Sequence, residues 1–325
     1  MAQSILFIGG NGIISSAISP LVVQSGAELT LLTRGQSSSR PAIEGASHLV
    51  GDAGDPASIA AALGDREFDV VVNFRSFLPG QAAADVDLFT GRTGQYVYIS
   101  SASAYQKPVA RLPITESTPL ANPFWEYSRN KIASEDVLVA AHRERGFPVT
   151  IVRPSHTYDR TSLPVDGGWT IIDRMRRGQP VVVPGDGTSL WVLTHHEDFA
   201  RAFVGLLGHP GVIGDVFHIT SDEVLTWNDI VSTLATAAGV EADIVPVTSR
   251  AIAAALPEWG PGLIGDKSNS VIFDNSKIRS VVPGWHTTIP FWRGAQQIID
   301  WHDADASRRV VDGELDARLD ALLGG

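Results

Sequence analysis

The chain has 325 residues, 44% hydrophobic and 19% charged, a folded rather than disordered composition that is long enough for one large domain or two closely joined ones. Its formal net charge of −11 argues against a nucleic-acid partner, for which a basic stripe is expected. It has no cysteine, which excludes disulfides, thiolate catalysis and cysteine-bound metals, and no apolar run of about 18 residues, which argues against a membrane span.

The start, "MAQSILFIGG", lacks a basic region ahead of its apolar segment. It therefore reads as a first strand rather than a signal peptide, and the expected location is cytoplasmic. Strand-like runs follow at Ser4–Ile8, Glu28–Thr33, Ser47–Val50, Phe68–Phe74, Gln95–Ile99 and Val149–Val152. Alanine- and leucine-rich stretches at Asp55–Leu63, Ala82–Phe89 and Ser128–Glu144 separate them as helices. Apolar strands without clean alternation, spaced by helical patterns, predict an α/β fold with a parallel sheet covered on both faces. Pro20 falls inside the helix expected from Gly12 to Ser25, where it predicts a kink.

After about residue 165 the pattern loosens into glycine, proline and tryptophan ("VDGGWTIIDRM", "LPEWGPGLIGDKS"). This predicts a smaller, loop-rich substrate part, with a return to the sheet at Asp215–Thr220 and a docking helix at Glu314–Leu323. The division expected is 1–164 and 189–221 for a Rossmann-type, doubly wound dinucleotide-binding domain. Residues 165–188 and 222–325 then form the substrate-binding domain.

In "ILFIGGNGIISSAI" the spacing Gly9-x-x-Gly12-x-x-Ser15 follows a strand and opens a helix. Glycine there lets a ligand approach the backbone, and the helix N-terminus offers unpaired N–H groups and a positive dipole end to a phosphate. After the first strand of an alternating chain this is the place for a dinucleotide pyrophosphate. Asn11, Ile13 and Ile14 of the same turn are expected to touch the cofactor, as is Phe74 after the fourth strand. At the end of the second strand, "LLTRGQSSSR" offers Arg34, Ser37–Ser39 and Arg40 and no carboxylate. An arginine here suits a 2′-phosphate, so the expected cofactor is NADP, with NAD as the alternative. Asp52 in "VGDAGD" stands either at the adenine edge or in a plain turn.

"YSRNK" places Tyr127 and Lys131 four apart, on one face of a helix. A nearby ammonium lowers the tyrosine pKa from about 10, so the pair can move a proton to or from a substrate oxygen while hydride moves at the same carbon. Ser101, at the carboxyl end of the strand in "YVYISSASAY", can hydrogen-bond the reacting oxygen.

These motifs, with "ITESTPLANPFWEYSRNK", "IVRPSHTYD" and "VPGDGTSLWVLTHHEDFARAF", make the chain resemble the extended short-chain dehydrogenase/reductase family, NAD(P)-dependent epimerase/dehydratase type. The resemblance covers nearly the whole length. It implies a Rossmann-type sheet, a catalytic set of Ser101, Tyr127 and Lys131, Pro154 and Ser155 lining the nicotinamide site, and a homodimer. Three departures bear on function. Ala102 and Ser103 stand where dehydratases of the family carry Asp-Glu. Trp191 takes the place of an arginine that grips the diphosphate of nucleotide sugars. "NFRSFLPG" replaces a small loop and brings Arg75 and Phe77 near the nicotinamide end.

Trp125, Trp169, Trp191 and Trp259 are expected to border a substrate cleft, and Arg75, Phe77, Ser103, His156, Trp169 and Trp191 are candidate substrate contacts. His195–His196 with Glu197 and Asp198 resembles a metal cluster by composition. Its family position makes it a strand-to-helix turn, and no metal is assigned. The leading expectation is a (nucleotide-)sugar epimerase. The alternatives are an NADPH-dependent reductase of an apolar or aromatic ketone and a non-catalytic NADP(H)-binding sensor.

Overall fold

The computed structural model describes residues 2–35 and 40–324. Six runs rich in valine, isoleucine and leucine form β1 (Ser4–Ile8), β2 (Glu28–Thr33), β3 (Ser47–Val50), β4 (Phe68–Asn73), β5 (Thr93–Ile99) and β6 (Val149–Pro154). The first three keep the bounds expected from sequence. β4 ends one residue earlier, at Asn73, and β6 runs on to Pro154. Beyond them lie β7 (His156–Tyr158), β8 (Val181–Pro184), β9 (Leu190–Trp191), β10 (Leu193–His195), β11 (Val216–Ile219), β12 (Leu225–Thr226) and β13 (Ile244–Val247).

The main sheet has the order β11-β6-β5-β4-β1-β2-β3, and every pairing in it is parallel. The strand order reverses between β1 and β4, which opens a crevice at their carboxyl ends. Side chains alternate across the sheet as strand geometry requires. Ile5 and Phe7 enter one core with Val70 and Val72, while Leu6 and Ile8 enter the opposite core with Val71.

The covering helices are α1 (Ile13–Gln24), α2 (Pro56–Leu63), α3 (Pro79–Phe89), α4 (Glu126–Arg145) and α6 (His196–Val204), whereas α5 (Trp169–Arg176) packs away from this sheet. Ile18 and Val22 of α1 pack with Phe199 and Phe203 of α6 on one face. Ile59 of α2, Val86 of α3 and Leu138 of α4 cover the other. α1 is assigned as one helix through Pro20. Two hydroxyls beside the gap bond back to the helix, Ser16 Oγ to the Ile13 carbonyl at 2.9 Å and Ser19 Oγ to the Ser15 carbonyl at 2.8 Å.

The later part of the chain is more helical than its glycine and proline content suggests, with α7 (Trp227–Ala237), α8 (Ser249–Ala255), α9 (Gly260–Gly262), α10 (Ser276–Val281), α11 (Phe291–Asp303) and α12 (Gly313–Leu323). Ile230 and Leu234 of α7 meet Ala295 and Ile298 of α11 in a third core, which Leu315 and Leu319 of α12 complete. That core also takes in Tyr105, Ile114 and Trp191, whereas Ile278 and Trp285 pack back against the sheet. Among the described residues no helix is long and apolar enough to cross a membrane.

Candidate active site

The turn from β1 into α1 uses its glycines for different reasons. Gly9 has φ +84°, and a Cβ there would lie 2.3 Å from Arg75 Cγ. A Cβ at Gly10 would lie 2.7 Å from Leu31 Cδ2. The fold itself therefore demands both. Gly12 has φ −86°, open to any residue, and its Cβ would meet nothing nearer than Ser15 Oγ at 3.6 Å. Its bareness instead keeps the entrance to α1 open. Ser15 occupies the third position of the motif, is buried, and accepts the Gly12 N–H at 2.8 Å. No acidic residue stands in the first turn of α1, so its positive end is uncompensated.

This helix end faces a cleft of about 860 Å³. Gly9, Asn11, Gly12, Ile13 and Ile14 line it, with Arg34 and Asp52 beyond β2 and β3, and Phe74, Arg75 and Phe77 beyond β4. Ser101, Tyr127, Lys131, Pro154 and Ser155 close its far end. Every cofactor contact expected from sequence thus falls in one cleft. A bare glycine turn, an open helix N-terminus and an arginine at the rim are the groups a dinucleotide's phosphates require, so the residues present fit such a cofactor. Ser37–Ser39 lie outside the described residues. Arg40 is committed elsewhere, to Asp159 at 2.5 Å and to Thr161 Oγ1 at 2.9 Å. Asp52 Oδ1 accepts the Gly54 N–H at 2.9 Å, so it also serves the turn it sits in.

α4 begins at Glu126 and carries Tyr127 and Lys131 on the face turned to the sheet. Lys131 is buried, and its Nζ donates to the Ser76 and Ile99 carbonyls, both at 2.8 Å. It stands 4.7 Å from the Phe77 ring centroid, 4.8 Å from Tyr98 and 5.9 Å from Tyr127. Burial lowers its pKa to about 7, against the smaller opposing pull of Glu135. The Tyr127 hydroxyl departs from expectation: without cofactor its pKa is raised, not lowered. Burial is the largest cause, a hydrogen bond with Ser101 pulls it down, and the charge of Asp266 pushes it up. Tyr127 therefore holds its proton at neutral pH, ready to give it to a carbonyl oxygen.

The wall behind them is braced. Glu135 of α4 receives Arg153 Nε at 2.9 Å and Nη2 at 2.5 Å, and also the Ser100 hydroxyl. Ser101 Oγ lies 2.9 Å from Ser103 Oγ, to which Ser128 Oγ donates at 2.8 Å, so three hydroxyls form a chain beside Tyr127.

A second cavity, of about 320 Å³, opens on the other side of this wall and shares Ser101, Tyr127, Pro154, Ser155 and Thr157 with the cleft. Ser103, Trp125, His156 and Trp191 line it, as expected. Asp266, Lys267, Val271 and Phe273 complete it, and sequence reading missed them in this role. They arrive from a glycine-rich segment some 135 residues beyond Lys131, and nothing in their local pattern announces a cavity. Both charged members are paired, Asp266 to buried Lys107 at 2.8 Å and Lys267 to Asp166 at 2.8 Å.

Trp169 does not reach either cavity. It is buried in the third core, stacked on His302 with centroids 4.8 Å apart. Packing of the amphipathic α5 against α11 claims it. Trp259 lines a separate pocket of about 40 Å³ with Trp227. His195 caps α6, its Nδ1 accepting the Glu197 N–H at 3.3 Å, while His196 Nδ1 donates to the Ile13 carbonyl at 3.1 Å. Asp198 receives the N–H groups of Thr288 and Ile289. That cluster is the structural turn expected, and among the described residues no group of three His, Asp or Glu side chains could hold a metal. A groove of about 1050 Å³ beside α1 shares Asn11 with the cleft but contains none of Ser101, Tyr127 and Lys131.

The family model of the NAD dependent epimerase/dehydratase family matches residues 5–220. Chloroplast stem-loop binding protein of 41 kDa b from Arabidopsis thaliana is 28% identical over 73% of this chain. The 2'-dehydrokanamycin reductase of Streptomyces kanamyceticus is 25% identical over 70% of it. Both matches span 64% of the relative's own length. Among solved structures, an epimerase from Methanothermobacter thermautotrophicus superposes with a TM-score of 0.77 at 16% identity, covering 95% of this chain and 94% of that one. At that identity the likeness concerns the fold.

Proposed function

We propose, from the premise that the chain belongs to the NAD dependent epimerase/dehydratase family, that it moves hydride between a nicotinamide cofactor and a hydroxyl- or carbonyl-bearing carbon of a small uncharged substrate. The observation carrying this reading is the shared wall: Ser101 and Tyr127 border both the cleft and the adjoining chamber. A cofactor bound in the cleft would supply or accept the hydride. In the reducing direction Tyr127 gives its proton to the oxygen of the carbonyl as that carbon gains the hydride. Ser101 hydrogen-bonds the same oxygen, and the Lys131 ammonium stabilises the negative charge left on the tyrosine oxygen. Oxidation is the reverse.

NADP as the preferred cofactor rests on Arg34 at the rim, with no carboxylate in the stretch "LLTRGQSSSR". The family as such is NAD-dependent. Net reduction is favoured over epimerisation of a nucleotide-linked sugar by the chamber, which among the described residues is lined by no arginine and by one ammonium, already paired. Burying a diphosphate there without a cation would be costly. The name of the Streptomyces relative, 2'-dehydrokanamycin reductase, also describes a reduction. Epimerisation, the leading expectation from sequence, becomes the second reading, supported by the family match. The stem-loop binding in the plant relative's name is not carried over, since a net charge of −11 opposes a polyanion.

The test follows NADPH absorbance with a panel of neutral ketones and, separately, isomerisation of sugar nucleotides. Steady, stoichiometric consumption with a ketone is expected, and Tyr127→Phe should lower turnover by about 10²–10⁴-fold. Isomerised sugar nucleotide with no net consumption would replace the reductase by the epimerase, and unchanged turnover in Tyr127→Phe would remove both.

A further inference from the structure

Two of the candidate substrate contacts touch each other in the chamber. Trp191 Nε1 lies 3.1 Å from His156 Nδ1. An indole nitrogen can only donate, so Nδ1 accepts, and a neutral ring then carries its proton on Nε2. Trp191 is held in turn: it is buried, packs on Trp227 with centroids 5.3 Å apart, and meets the His156 ring edge-on at 6.2 Å. His156 is half-buried and lines the chamber, and its Nε2 has no hydrogen-bond partner among the described residues.

We infer that Trp191 fixes His156 as a neutral ring whose Nε2–H is offered to the chamber, and that this pair selects an uncharged substrate bearing an oxygen acceptor close to its reacting carbon. A sphere of 320 Å³ is about 8 to 9 Å across, so a single-ring molecule filling the chamber reaches both Tyr127 and the opposite lining. The aromatic faces of Trp125 and Phe273 suit such a ring. A protonated histidine would welcome an anion, but His156 is kept from protonation: burial lowers its pKa to about 3, and the positive charge of Lys267 adds to this. The other ionisable groups of the chamber do not reverse that balance. Tyr127 is neutral, and the Asp266 carboxylate is bridged by Lys107. A hydroxyl or carbonyl oxygen next to the reacting carbon is what a neutral N–H donor can read, and leaving that donor unmatched is where discrimination arises.

This inference rests on the chamber being the substrate site, as proposed above, and its test needs no turnover. Protein labelled with ¹⁵N-histidine is loaded with NADP, and the His156 signals are assigned by their loss in His156→Gln. The Nε2–H tautomer is expected, unchanged from pH 5 to 9, and Trp191→Phe should mix the tautomers or bring back titration in that range. A wild-type His156 that titrates between pH 5 and 8, or carries its proton on Nδ1, overturns the inference.

Calorimetric titration of wild type and variants, each loaded with NADP, then measures binding of 2-hydroxycyclohexanone, cyclohexanone and UDP-glucose. The hydroxyketone should bind about tenfold more tightly than cyclohexanone. That preference should vanish in His156→Phe and persist in His156→Gln, whose amide nitrogen can still donate. Equal affinity of the two ketones in wild type, no binding of either, or tighter binding of UDP-glucose contradicts the substrate class. Loss of NADPH turnover with these results intact would instead contradict the reductase reading alone.

Discussion

The cofactor cleft is framed by the carboxyl ends of neighbouring parallel strands, each followed by its own short turn, whereas the chamber draws residues 101–103, 125–127, 154–157, 191 and 262–273 from five separate stretches of chain. In the first, backbone does much of the work: bare glycines, an open helix N-terminus and strand ends. In the second, side chains from distant segments fill the same small volume, and its two charged members are each neutralised by a partner behind the lining. A cleft of the first kind can be shared by a whole family. The chemistry of a chamber of the second kind turns on single side chains, here Trp191 and His156.

Substitutions in the cleft should therefore act on the cofactor and spare the chamber. Arg34→Ala has the largest expected effect on cofactor binding, a loss of about 10–100-fold in NADP affinity, the worth of a charge-assisted contact, with NADH affinity unchanged. Calorimetric titration of both cofactors decides it, and equal NADP affinity in the two proteins would withdraw the 2′-phosphate contact.

Next come two glycines with opposite expectations. Gly9→Ala forces a side chain into φ +84° and against Arg75, and should lower stability by about 2 kcal/mol in denaturant unfolding. Gly12→Ala has room in the protein and should leave unfolding unchanged or slightly stabilised, while weakening cofactor binding. A Gly12→Ala protein that binds normally would mean that nothing approaches the backbone there.

The smallest effect is a pH dependence beneath the cleft. Asp85 of α3 is buried, accepts Tyr96 Oη at 2.6 Å and Asn73 Nδ2 at 2.9 Å, and burial raises its pKa to about 6. Between the unfolded value near 4 and that folded value, the native state holds more protons than the unfolded one. This contribution to stability is present below about pH 4 and is lost as pH rises to about 6. Asp85→Asn should flatten that part of the curve of unfolding midpoint against pH, and an unchanged slope would show that Asp85 does not titrate there.

The same contrast explains what the sequence revealed. Strand positions were legible because valine and isoleucine runs between helical stretches leave few other arrangements, and β1, β2 and β3 fall at the expected residues. The glycine turn and the Tyr127–Lys131 pair were legible because their spacing is local. Trp169 was misplaced because tryptophan serves a core as well as a cleft, and only the packing of α5 against His302 decides between them. Asp266 and Phe273 were missed because their role depends on where a distant segment returns. The raised pKa of Tyr127 was hidden too: spacing shows that a lysine is near, but not that its ammonium points at two backbone carbonyls.

The central claim is that cofactor and substrate meet across the wall of Ser101 and Tyr127. It is tested most directly by supplying NADPH deuterated at the transferring position of the nicotinamide and analysing the product by mass spectrometry and NMR. The account predicts one deuterium on the carbon that bore the oxygen, and, in Tyr127→Phe, undiminished NADPH binding with transfer slowed by at least about a hundredfold. Product carrying no deuterium, or transfer in Tyr127→Phe at the wild-type rate, would contradict it.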